Sequence, residues 1–468
     1  MRRVILFFIL LIFNLLQGQF EPLLYDWDDN LLSQKNGAFV WLRNQHNFSF
    51  PALGNQSVAI RHSGFSAYDL FNTNQNDFNL KWQQVLSDLS SSDGLFFHTH
   101  AEWFHYRWKK FEYQYGISVS NHAEMWFFHP VSLYRIAAFG FNTRSEPALL
   151  REINFNAEWF NRFTFGFTKT VHQDYVFGMN FHLYNSFGNL SSYGNRGSVN
   201  VERTGDTYTH NFDNISIRIR AGGLRDFYEK DSVGFPSVDS LSARRRLIRK
   251  FFLSRNFGLG FDYGFEKKFP NDWSLTFNLS DAGFIYYTRA YTYKAEGNFS
   301  FSGIRLEFPD NPIDYWKQVS KDFDKQIPHE ESRRGYFKPR SFKTYLSIKK
   351  YYGFEKNDYN AKRLKCYDET APEVKSKLPY FGIMGFYQNL QGRPYLGAAL
   401  YWQLFPTRWW DVRLTYAYDT FVHNNLGIAT KLRIGKWHLF LSADNILSFR
   451  DLSKSAGHEI RFGTYFSF

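Results

Sequence analysis

The chain has 468 residues, a net charge of +12 and a pI of about 9.4. Its single cysteine, Cys366 in the polar stretch AKRLKCYDET, excludes a disulfide framework. Beyond residue 18 no apolar run reaches the length of a spanning helix, which excludes a helical membrane protein. Yet 21% of the residues are aromatic, with 53 Phe, 30 Tyr and 13 Trp, while mean hydropathy is only −0.44. A transmembrane β-barrel needs that combination: apolar and aromatic side chains outward, polar ones inward, alternating along each strand.

The N-terminus, MRRVILFFILLIFNLLQGQF, carries Arg2 and Arg3 before an apolar stretch from Val4 to Leu16. Leu16-Gln17-Gly18 then offers a small-residue cleavage site, so residues 1–18 read as a signal peptide for Sec-type export. No cysteine follows for a lipoprotein anchor. A basic exported chain meets no nucleic acid; its charge suits anionic lipopolysaccharide or a basic lumen. Residues 19–55 are mixed in character and are expected to form an N-terminal lead-in or plug. Residues 56–468 are expected to form the barrel.

The segment LFFHTHAEWFHYRW follows. Leu95, Phe97, Thr99, Ala101 and Trp103 share one face of a strand, and His98, His100 and Glu102 share the other. A His-x-His pair can ligate zinc, but a catalytic site also needs a third ligand and an open position. In a barrel the second face is the lumen, where polar residues belong. The triplet therefore reads as lumen lining, and no metal, cofactor or catalytic residue is assigned. His105 falls in phase with the apolar face, and the sequence places no serine beside it for a lipase-type site.

FEYQYGISVSNHAEMWFF repeats the pattern. Phe111, Tyr113, Tyr115, Ile117 and Val119 lie on one face; Gln114, Ser118, Ser120, His122 and Glu124 lie on the other. The alternation runs over about 15 residues, longer than strands of ordinary soluble sheets. Similar stretches occur near 151–160, 162–171, 175–185, 212–221, 257–267, 273–280, 342–351, 379–388, 395–404 and 437–444. In WDVRLTYAYD the outward set is Trp410, Val412, Leu414, Tyr416 and Tyr418, and in GIATKLRI the lumen set is Gly427, Ala429, Lys431 and Arg433. Phe269-Pro270-Asn271-Asp272-Trp273 and Phe405-Pro406-Thr407-Arg408-Trp409 read as tight turns, as do 171–175 and 434–437. Their flanking rings suit an aromatic girdle at headgroup level.

Two insertions interrupt the alternation. Residues 223–256 contain ARRRLIRKFF, a basic loop whose Arg244, Arg245 and Arg246 could meet lipopolysaccharide phosphates. In 309–341, Ile313, Trp316, Val319 and Phe323 are spaced for a short amphipathic helix beginning near Asn311. Two motifs fail: Gly258-Leu-Gly260 has the wrong continuation for a dinucleotide site, and His329-Glu330-Glu331 lacks the second histidine of a zincin.

The chain ends in HEIRFGTYFSF. Ile460, Phe462, Thr464, Phe466 and Phe468 share a face, and a terminal aromatic residue on such a strand is the recognition signal of the barrel assembly machinery. The C-terminus is then expected in the periplasm, with short turns on that side and long loops outside.

The C-terminal stretch resembles the end of a family of uncharacterised Bacteroidetes outer-membrane β-barrel proteins. Gly435, Asp444, Asn445, Ile446, Leu447, Arg461, Phe462 and Gly463 carry the likeness there. Asp281, Gly283, Phe284 and Ile285 match the family's middle, and Ser63, Gly64, Phe65, Asp69, Leu70 and Phe71 an upstream strand and turn. The family is distantly like long-chain fatty-acid-transporter barrels, which implies an all-β antiparallel barrel of about 14 strands, within two either way. The Asn-Pro-Ala element of those relatives is missing, so no plug or gate is carried over. The expectation is an outer-membrane barrel without enzymatic activity. It would act as a passive channel or transporter for a small hydrophobic molecule. The alternatives are an accessory barrel binding a secretion or surface-assembly protein and, ranked last, a lipase or metal enzyme.

Overall fold

The computed structural model describes residues 46–49, 53–72, 77–111, 113–139, 147–172, 174–204, 207–223, 229–230, 236–237, 254–288, 290–301, 329–352, 379–391, 393–404 and 409–468. Residues 1–18, read as a signal peptide, most of the expected lead-in, Cys366, the arginine cluster and the short helix expected from Asn311 onward fall outside these residues.

Fourteen antiparallel strands close into a barrel. They are β1 (Gln56–His62), β2 (Gly94–Lys110), β3 (Tyr113–Phe128), β4 (Asn154–His172) and β5 (Tyr175–Ser192). Then come β6 (Phe257–Phe269), β7 (Trp273–Tyr287), β8 (Lys343–Tyr351), β9 (Tyr380–Asn389) and β10 (Pro394–Leu404). The last are β11 (Trp410–Asp419), β12 (Asn425–Ile434), β13 (Trp437–Ala443) and β14 (Gly457–Ser467). Each pairs with its successor, and β14 closes on β1 with Val58 opposite Ile460. Closure matters because an open edge would leave a row of unpaired backbone groups. The expectation of about 14 strands holds.

Alternation produces the two faces. Along β3 every second residue from Ser118 to Phe128 is buried, and the intervening ones are partly exposed. The outward set of other strands includes Leu400, Ile383, Leu346 and Leu441, each 50–56% exposed. At the end of the barrel with the short turns, Phe269, Trp273, Trp409, Trp410 and Trp437 are exposed together, the girdle expected of the turns.

Three irregularities aim particular residues. A bulge between Glu102 and Phe104 leaves both Trp103 and Phe104 facing out and shifts the phase of β2. A second, where β6 steps from Phe261 to Tyr263, coincides with Asp281 at φ 56° on β7. Bulges commonly redirect side chains in this way, and Asp tolerates the left-handed region better than most residues. Third, Tyr336–Pro339 pairs with the far end of β7 before the wall continues as β8. That short strand and the residue after it deliver Lys338 and Arg340 to the interior.

At the opposite end the connections are long. The 212–221 stretch alternates as expected but is not a barrel strand. It lies in Thr207–Gly222, which joins the rim of β5 and pairs with Arg196–Thr204 and Ala290–Phe301 in a side sheet. Within the second expected insertion, His329–Ser332 adds to that sheet. Helices α1 (Ala67–Phe71), α2 (Phe78–Asp88) and α3 (Val131–Phe139) form a cap there. Ser66 and Asp69 make a reciprocal capping box that starts α1. Leu86, Leu89 and Val131 bury against Phe65, Trp82 and Tyr134 beneath the cap.

Candidate functional site in the barrel lumen

The interior divides chemically. The wall from β2 to β7 presents charge. Glu158 on β4 pairs with Lys338 at 3.1 Å, accepts from the Tyr287 hydroxyl at 2.6 Å, and also pairs with Arg340. Arg340 spans to Glu124 on β3 at 3.2 Å and lies 4.1 Å above the Phe160 ring. Beside it Arg162 meets Asp281 at 3.1 Å, and Tyr184 donates to the same oxygen at 3.1 Å. His182 lies 2.8 Å from Asp262, which also accepts from Asn180 at 3.0 Å. Every one of these charged residues is 9% exposed or less. Buried charges on this scale persist only when paired.

On the opposite wall β8 to β10 carry an aromatic cluster on the inner side, while the inner face of β11 presents Asp411, Arg413, Thr415 and Asp419. Tyr345, Tyr380, Met384, Phe386, Tyr395 and Tyr401 pack with Phe96, Trp126 and Phe128 from β2 and β3. At the long-loop end Arg61 ties β1 to the far side: it meets Asp419 at 2.6 Å, Tyr395 at 2.9 Å and Asp444 at 3.2 Å.

A model described as a family of unknown function, DUF5723, matches residues 38–444. The chain belongs to that family. No curated protein matches this DUF5723 chain. Among solved structures it is similar to the Ralstonia pickettii toluene transporter TbuX, at 10% identity and TM-score 0.39, over 94% of this chain and 93% of that one. It is similar also to the Pseudomonas putida toluene transporter TodX, at 8% identity and TM-score 0.38, over 94% and 93%. A Pseudomonas aeruginosa FadL homologue matches at 7% identity and TM-score 0.38, over 90% and 88%.

The residues singled out from sequence lie as follows in the DUF5723 barrel. His98, His100 and Glu102 all face the lumen, 1–4% exposed. They do not form one group. Glu102 accepts from Ser49 at 3.0 Å, in a niche where Gly54 comes so close that a Cβ there would sit 2.6 Å from its carboxylate. His98 instead faces Glu124 at 3.8 Å, and His100 stacks on His122 at 4.7 Å. Sequence reasoning put His122 and Glu124 on the polar face of β3 but could not register β3 against β2. The pairing of His98 with Glu124 and of His100 with His122 supplies that register. His105 corrects the sequence reading: the bulge at Trp103 turns it inward, to 1% exposure, rather than onto the apolar face. In the terminal strand, Ile460, Phe462 and Phe466 are half-buried on the outer face and Phe468 is exposed. Phe48 stacks between Phe466 at 5.6 Å and Phe468 at 5.5 Å.

Proposed function

We propose that the protein sits in the outer membrane of a Gram-negative envelope, after export, as a passive route for a small apolar molecule. One observation carries the substrate class: the inner side of β8 to β10 holds a cluster of aromatic side chains where a water-filled pore would be polar. An apolar solute gains by leaving water for such a lining, in rough proportion to the area it buries. The paired charges opposite oppose an open aqueous pore, because ions would have to displace close, buried partners. The apolar belt and the aromatic girdle support the membrane setting. Lipid, lipopolysaccharide and the barrel assembly machinery are then its surroundings and its means of insertion.

A second reading has its own support. Phe71 on α1 and Leu447 and Leu452 in the loop between β13 and β14 are 74%, 69% and 61% exposed, beyond the strands. Exposed apolar residues gathered beyond the lipid belt suit a protein partner. Native mass spectrometry of the protein extracted from its own membrane separates the two. A small apolar molecule bound at fixed stoichiometry supports the route. A bound protein with nothing small retained supports the accessory barrel and sinks the route.

A further inference from the structure

We propose that His98, His122 and Glu124 form a buried binding site for a divalent first-row d-block cation of the zinc class. This inference is independent of the transport reading. One donor atom from each of the three residues lies within 4.8 Å of the others. A tetrahedral ion with bonds of about 2.0–2.2 Å holds its donors about 3.3–3.6 Å apart. His98 Nε2 and Glu124 Oε1 are at 3.8 Å, close to that separation, and side-chain rotation must bring the His122 donor in from within 4.8 Å.

The supporting contacts are those a ligand set needs. Glu124 uses its other oxygen, Oε2, to accept from Arg340 at 3.2 Å, which leaves Oε1 turned toward the imidazoles. His122 Nε2 is 2.9 Å from Ser120 Oγ, a contact that fixes the orientation of the ring. The His122 ring is clamped between His100, stacked at 4.7 Å, and Phe160, stacked at 5.0 Å and 3°. All three donors are at most 4% exposed. Two imidazoles and one carboxylate favour zinc, copper, nickel or iron over magnesium or calcium, which prefer oxygen alone. A second acidic and histidine group among the described residues, His182, Asp262 and Asp281, differs in kind. There His182 already contacts Asp262 at 2.8 Å, and Asp281 is held by Arg162 and Tyr184.

The test uses the full-length chain in detergent micelles, stripped with chelator and then given Co²⁺ or Zn²⁺. One metal per chain is expected, and X-ray absorption at the bound cobalt should count two imidazoles. His98→Ala and His122→Ala should each weaken binding by roughly a hundredfold, and Ser120→Ala by roughly tenfold. His105→Ala, on the same strand but outside the group, should leave binding unchanged. Wild-type chain without stoichiometric metal, or bound cobalt with no imidazole, overturns the site. So does unchanged binding in a His98→Ala/His122→Ala double variant that keeps heat-modifiable gel mobility. The wild-type spectroscopy decides the matter even if the variants do not fold.

Discussion

Arg61 and Asp419 lie 2.6 Å apart although 358 residues separate them in the chain, and both are at most 2% exposed. They stand on β1 and β11, so the contact crosses the interior of the long-loop end rather than following the wall. Asp444 and Tyr395 complete the cluster on the same guanidinium. Arg61→Met would leave two carboxylates buried with their cation gone. The expected loss is about 3–5 kcal/mol, the usual cost of breaking a buried pair from one side. Denaturant melts followed by gel mobility would measure it. Replacing Arg61, Asp419 and Asp444 together with apolar residues should recover most of the loss. A triple variant as unstable as the single one would show that the cluster's role is not electrostatic.

Arg340 bridges two strands of the charged wall through Glu124 and Glu158. Arg340→Ala frees both carboxylates and removes the bulk above Phe160. In planar bilayers the wild-type barrel is expected to pass little ionic current, and the variant more, with preference for cations over anions. Equal conductance in both would mean that this group does not close the lumen.

Much of this was legible in the sequence, and the limits were physical. Period-two alternation identifies the β-strand character, and the polar phase of 98–102 marks the face on which His98, His100 and Glu102 are buried. What alternation cannot supply is register between strands, so the approach of His98 to Glu124 was invisible until β2 and β3 were paired. Nor can it foresee a bulge: one extra residue at Trp103 reverses the phase and carries His105 from the outer to the inner face. The 212–221 strand was recognised as a strand, but its place in the side sheet depends on pairing with the rim of β5. Lys338 and Arg340 fall in the 309–341 stretch that breaks the alternation, because the strand Tyr336–Pro339 is too short to show a period and Arg340 lies just beyond it.

Phe468 ends the chain stacked on Phe48, with Lys436 Nζ 4.9 Å above its ring. The backbone is tied in too: Phe468 N–H donates to the His46 carbonyl at 2.9 Å. Removing Phe468 takes away both the terminal aromatic group and the last rung closing the barrel. Assembly in cells should fall several-fold, while protein already folded should lose little thermal stability, since Phe466 still packs on Phe48. Pulse-chase assays of heat-modifiable mobility would separate the two effects. A deletion that assembles at the normal rate would remove Phe468 from any role in recognition.

His129 sits in the cap at the end of β3, 8% exposed, with Phe65 at 5.3 Å and Tyr134 at 5.9 Å. Burial lowers its pKa below the usual 6.5; Asp93 opposes that shift and the nearby His62 adds to it. The sign follows from linkage. A folded-state pKa below the unfolded one means that protonation favours the open cap. The contribution to stability is therefore full above pH 6.5 and is lost as pH falls from there through the folded value. Amide exchange in 62–66 and 129–134, corrected for intrinsic rates, should accelerate as pH drops from about 7 to about 5. His129→Phe keeps a ring in the aromatic contacts but cannot take up the proton. It should flatten that dependence while leaving exchange in β6 to β14 unaltered. If the variant keeps the full pH dependence, the titrating group lies elsewhere in the cap, with His62 the first to replace.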